Sequence, residues 1–143
     1  NRVGFEEYKK QHIPNAIFFN LDENSKKKTK LPHMLVDTNE WEKIVSKMGI
    51  DESDKIIIYD NSDVISSCRC WFNFIYFGHN PKLVSVLNGG LEKWMKEKRK
   101  ITNNLTEIKI SNYLAFEKKE LIKNKKMIDQ NINTQKFNPV FIN

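Results

Sequence analysis

The chain has 143 residues, the length of one ordinary domain with a single core. Its composition, 39% hydrophobic and 11% aromatic with five Gly and four Pro, excludes a disordered, collagen-like or low-complexity chain. The net charge is +6, but 21 of the 24 basic residues are lysines scattered over several segments; that pattern fits a solubilising surface that steers anions better than an arginine-based nucleic-acid reader.

In chain order, residues 4–12 (GFEEYKKQH) predict a short helix or turn, and residues 16–20 (AIFFN) a short apolar strand. Residues 23–35 are polar and lysine-rich, carry Pro32 and predict a long loop. Asp37 and Thr38 predict a helix cap, followed by Trp41, Ile44, Val45 and Met48 at helical spacing and by Gly49 as the stop. The run 56–59 (IIIY) predicts a strand buried on both faces. Residues 65–77 predict a buried helix, and residues 83–87 (LVSVL) a second buried strand. Asn88, Gly89 and Gly90 predict a tight turn into a helix over 91–98 anchored by Trp94 and Met95. This alternation implies an α/β fold: parallel strands with helices on both faces. After residue 101 glycine disappears and Asn and Lys dominate, with a further helix around 127–132 and a final strand-like stretch, 137–143 (FNPVFIN).

Cys68 and Cys70 are separated by one residue, too close for an unstrained disulfide and too few for a secreted framework. They predict two small buried or half-buried residues on a helix and a reducing, cytoplasmic setting. His12, His33 and His79 have no metal-motif spacing, so no metal is expected. Gly89–Gly90 lacks a GxGxxG or P-loop context, so no nucleotide or other cofactor is expected. No apolar run reaches the roughly 20 residues of a membrane span, and the start NRVGFEEYKK has no signal-peptide character. Neither a membrane nor a nucleic acid is an expected partner.

Two groups invite a chemical reading. Tyr59, Asp60, Asn61, Ser62 and Asp63 follow the strongest strand, where α/β enzymes place their catalytic groups. They include no histidine and no glycine-rich cradle, and such a carboxylate cluster commonly serves as a turn or helix cap. In the loop 20–35, Asp22 and His33 lie eleven residues apart. A carboxylate that fixes a histidine tautomer is a recurring way to activate a hydroxyl or thiol; a solvated aspartate and a histidine packed at the loop base would look the same in sequence.

Several segments, in order, carry a family resemblance: His12-Ile13-Pro14-Asn15-Ala16-Ile17-Phe18-Phe19, then Leu31-Pro32-His33-Met34-Leu35, then Ile57-Ile58-Tyr59-Asp60. Arg69-Cys70-Trp71-Phe72, Phe77-Gly78-His79 and the closing Ser85-Val86-Leu87-Asn88-Gly89-Gly90-Leu91-Glu92-Lys93-Trp94 complete it. Collinear from about residue 4 to 100, they resemble the rhodanese-type sulfurtransferases, and in detail the amino-terminal, non-catalytic half of the two-domain thiosulfate and 3-mercaptopyruvate enzymes. Asn15 and Asn20 stand where that family usually has Gly and Asp.

The resemblance implies a rhodanese-like fold and a part in moving sulfane sulfur from a small donor, 3-mercaptopyruvate or thiosulfate, to a thiol or cyanide. The persulfide-forming cysteine belongs to the second domain; Asp60 holds the matching place here, so the chain alone is expected to be inactive. In the mercaptopyruvate branch a first-domain Asp and His are proposed to relay with a second-domain Ser, and by motif position these are Asp22 and His33. The implied layout is a rhodanese-like domain over residues 1–104 that starts after its own opening strand. A connector over 105–136 follows, then a strand over 137–143 resembling the start of a second rhodanese domain. That last strand would fill the vacant place in the sheet, within one chain or by exchange between chains of a homodimer. The implied partner is a second rhodanese domain. The competing reading is a catalytically inactive rhodanese-fold module for protein interaction or regulation.

Overall fold

The structure, a computed structural model, describes residues 3–62 and 66–134. Helix α1 (Gly4–Lys10) is followed by a long loop and helix α2 (Thr38–Lys47). Strand β1 (Ile56–Ile58), helix α3 (Ser66–Tyr76) and strand β2 (Val84–Val86) form the central unit. Helix α4 (Gly90–Lys96) and, after a long stretch, helix α5 (Lys125–Thr134) complete the described residues. Single 3₁₀ turns lie at Pro81–Leu83 and Lys119–Leu121.

The helices start and stop for local reasons. The Asp37 carboxylate accepts the Glu40 amide at 2.9 Å and caps α2. Gly49, at φ +69°, turns the chain out of α2, and a Cβ there would meet the Lys109 carbonyl at 2.5 Å. The strands pair in parallel, with Ile56 opposite Val84, Ile57 opposite Ser85 and Ile58 opposite Val86. A parallel pair needs a crossover, and α3 supplies it, packing on both strands.

The core lies between α2, α3 and the strands. Trp41, fully buried, stacks on Phe77 with ring centroids 4.8 Å apart and meets the edge of Phe74 at 5.2 Å. Val45, Cys70, Ile75, Tyr76, Val84 and Tyr113 fill the remainder. Buried His79 lies 3.0 Å from the Tyr113 hydroxyl through Nδ1 and 3.0 Å from the Asp54 carbonyl through Nε2. Both ring nitrogens are thereby satisfied inside the core. Residues 102–118 run back across the domain: Thr102 and His12 exchange backbone bonds of 2.8 and 2.9 Å, and the Phe116 and Lys118 amides donate to the Phe77 and Tyr76 carbonyls.

Several expectations need correction. Residues 16–20 form no strand: no described chain lies beside them as a ladder partner, and the Ala16 carbonyl instead accepts the Tyr8 and Thr106 hydroxyls, both at 2.7 Å. The strands are not buried on both faces. Ile57 is 57% exposed and Ser85 is also exposed, because among the described residues the sheet has two strands and α3 covers the face of Ile56 and Val84. Helix α4 is anchored by buried Leu91; Trp94 and Met95 are only half-buried. The cysteines are not alike either: Cys68 is exposed and Cys70 buried, as neighbours but one on a helix face different sides. The stretch 137–143 lies outside the described residues. Among the described residues no helix is long and apolar enough to cross a membrane.

Candidate functional site

The loop between residues 20 and 35 is shaped by its own polar groups. The Asn20 side-chain oxygen accepts the Asp22 and Glu23 amides at 3.1 and 3.3 Å, an Asx turn that sets the direction of Asp22. Ser25 donates to the Leu21 carbonyl at 2.6 Å and the Lys26 amide to the Met34 carbonyl at 2.8 Å, which brings the two limbs together. His33 follows Pro32 and adopts a left-handed backbone, φ +53°. As a result His33 Nδ1 comes within 3.4 Å of Asp22 Oδ1. Both side chains face solvent, 42% and 84% exposed, so their attraction is worth little as stability. Its chemical effect is orientation: a carboxylate beside Nδ1 can hold the proton on that nitrogen and leave Nε2 as the unprotonated one.

A second element reaches this loop. Arg69, on α3, donates from a terminal guanidinium nitrogen to the His33 carbonyl at 2.5 Å. Its guanidinium carbon lies 5.9 Å from the centre of the Phe72 ring. In sequence Arg69 stood out only as part of a motif, because a contact across 36 residues has no local signal.

Asp60 follows β1 and behaves as a cap. Its Oδ2 accepts the Ser67 amide at 2.9 Å and the Ser66 hydroxyl at 3.4 Å, placing a fixed negative charge on the first turn of α3. Its carbonyl accepts the Leu91 amide at 3.0 Å, and Gly90 (φ +54°) is needed there because a Cβ would lie 2.6 Å from that carbonyl. No thiol shares this position. Cys70 sits farther along α3, and burial pushes its thiol up to about 12, the opposite of what a thiolate nucleophile requires.

A cavity of about 980 Å³ is lined by Phe18 and Phe19 on one side and by Ile57 of β1 and the following Tyr59 on the other. Asp22 and Asp60 both line it, and Cys70 lies on its wall. The structure thus brings Asp22 to His33 and to the same concavity as Asp60, while Cys68 points away to solvent. Among the described residues no cluster of three or more His, Cys, Asp or Glu could hold a metal ion.

The parallel pair, its α3 crossover and the loops at its carboxyl ends define an α/β domain of the rhodanese type. The family model for the rhodanese-like domain matches residues 2–97, and the chain belongs to that family. It is 44% identical over 93 residues to the Arabidopsis thaliana thiosulfate/3-mercaptopyruvate sulfurtransferase 1, mitochondrial, covering 65% of this chain and 24% of that protein. It is 29% identical over 136 residues to human 3-mercaptopyruvate sulfurtransferase, covering 94% of this chain and 45% of that protein. The crystal structure of the Escherichia coli 3-mercaptopyruvate sulfotransferase SseA superposes with a TM-score of 0.86 at 25% identity, over 94% of this chain and 50% of that one. The chain is therefore homologous to thiosulfate and 3-mercaptopyruvate sulfurtransferases, and it spans half or less of their length.

Proposed function

We propose that the chain is the amino-terminal domain of a two-domain sulfurtransferase, that it lacks the persulfide cysteine, and that it supplies Asp22 and His33 to the donor site. The observation that carries this reading is the 3.4 Å approach of His33 to Asp22 on an open loop. A second domain is supported by the length of the relatives, about twice the matched stretch in human 3-mercaptopyruvate sulfurtransferase and in SseA.

In this reading a thiolate of the second domain attacks the sulfur of 3-mercaptopyruvate. The carbon–sulfur bond breaks, the sulfur stays on the cysteine as a persulfide, and the enolate of pyruvate takes a proton through a second-domain Ser that relays with His33. An acceptor thiol or cyanide then removes the outer sulfur and regenerates the thiolate. Asp22 holds the His33 tautomer through this cycle. Asp60 cannot replace the thiolate: a carboxylate forms no persulfide, and its charge is already engaged by α3. A reducing compartment, the cytoplasm in our reading, is supported by the two free cysteines.

The test compares the full-length protein with this chain alone, using mercaptopyruvate and a thiol acceptor. The full-length protein should turn over and the isolated chain should not. His33→Ala in the full-length protein should lower kcat by about 10²-fold, the scale of general acid–base catalysis. Robust turnover by the isolated chain, lost in Cys68→Ser or Cys70→Ser, would overturn the reading. An inactive interaction module is the competing reading, favoured by the exposed apolar side chains of Ile110 and Phe116. Failure of the full-length protein to transfer sulfur from either donor would establish that alternative.

A further inference from the structure

We propose that Arg69 is a positioning residue: by binding the His33 backbone carbonyl it holds His33 in the rotated backbone from which the imidazole faces Asp22. The inference rests on the reading of Asp22 and His33 as the donor-site pair and adds the residue that sets their geometry.

Three observations converge on Arg69. The first is conformational. His33 adopts φ +53°, a left-handed region that only a few per cent of non-glycine residues occupy. The preceding Pro32 fixes its own φ but not that of His33. The loop's internal bonds end at the Lys26–Met34 pair, and none of them touches the His33 backbone.

The second observation is the contact itself. The guanidinium donates to the His33 carbonyl at 2.5 Å, a charge-assisted bond and a short one. Among the described residues it is the hydrogen bond that ties the tip of this loop to α3. It therefore transfers the rigidity of a core helix to an exposed loop.

The third is the setting of Arg69. Its Nε is buried and has no hydrogen-bond partner among the described residues, and burial pulls the guanidinium pKa below its ordinary value. The ring of Phe72, one turn on, lies against the guanidinium. A cation that forgoes a partner for Nε and is fixed beside an aromatic ring is held in one orientation, which aims the terminal nitrogens at the loop. Lysine could offer a donor to the same carbonyl but not the planar fork that locks the direction.

The role is indirect. Arg69 meets the peptide of His33, not its ring, so it orders the imidazole without taking part in proton transfer.

The experiment reads the His33 tautomer by long-range ¹H–¹⁵N spectra of the histidine-labelled full-length protein, alongside mercaptopyruvate kinetics. The wild type should show His33 mainly protonated on Nδ1. Arg69→Ala should lose most of that preference and lower kcat at least tenfold while changing KM less than twofold. Arg69→Lys should recover part of both effects, and it decides the question if Arg69→Ala does not fold. Asp22→Asn serves as the reference, because it removes the negative charge beside Nδ1 and leaves the Arg69 bond intact. A tautomer altered by Asp22→Asn but unchanged in the Arg69 variants would overturn the positioning role and leave the pair standing. A rise in KM with kcat unchanged would also overturn it, by making Arg69 a substrate contact. A tautomer unmoved by Asp22→Asn would instead remove the pair, and with it the reading on which Arg69 depends.

Discussion

Cys68 and Cys70 share a helix and a chemical type but not a surroundings. Cys68 is exposed and Cys70 buried, so iodoacetamide should label Cys68 in the folded protein and reach Cys70 only after denaturation; mass spectrometry of the labelled peptides checks this. Cys70 also links folding to alkaline pH. Its thiol is pushed up to about 12 by burial, from an ordinary value near 9.0. Between those limits the unfolded chain gives up a proton that the folded chain keeps, so the contribution is whole below pH 9 and shrinks as pH rises toward 12. Urea midpoints measured from pH 8 to pH 11 should fall less steeply for Cys70→Ala than for the wild type. The remaining slope belongs to Tyr59, Tyr76 and Tyr113, whose hydroxyls burial also shifts upward. At the centre of the core, Trp41→Ala removes the ring that stacks on Phe77 and meets Phe74 and Phe19, and it should cost about 3–5 kcal/mol in chemical denaturation.

The elements differ in how readily their residues disclosed them. Helix α2 was legible to within a residue, because a cap, an apolar stripe and a stop glycine all act locally. Asp37→Ala should therefore weaken the protein by about 1 kcal/mol, read as a shift in the denaturation midpoint with an unchanged slope. The strands were legible in place but not in burial, since Ile57 owes its exposure to what lies beside it and not to its own chemistry. Residues 16–20 had every strand-like property except a partner, and a strand is defined by a partner. The candidate site divides in the same way. Asp22 and His33 stood out through spacing and motif, whereas Arg69 became visible only when α3 was placed against the loop. Gly78 was quoted in a motif, but its physical reason was hidden. At φ +90° its Cβ would meet the Phe116 carbonyl at 2.8 Å, a contact created by a segment 38 residues on. Gly78→Ala should cost on the order of 1–3 kcal/mol, and its signature in hydrogen exchange should be faster exchange at the Phe116 and Lys118 amides.

At the scale of the whole molecule, the bridge between His12 and Thr102 joins points ninety residues apart, and the Thr106 bond to Ala16 spans the same separation. Between them lie α2, the two described strands, α3 and α4, and their core also takes in Tyr113 from beyond Thr102. Closing so large a loop gains nothing until that interior exists, so the closure belongs after the main folding barrier. Substitutions at this clasp should accordingly leave the folding rate almost unchanged and accelerate unfolding. Unchanged folding with faster unfolding in such variants would mark this clasp as a latch that closes late and opens early. A protein that assembles from the middle outward can release its front edge, the edge that carries Asp22, while its centre remains folded.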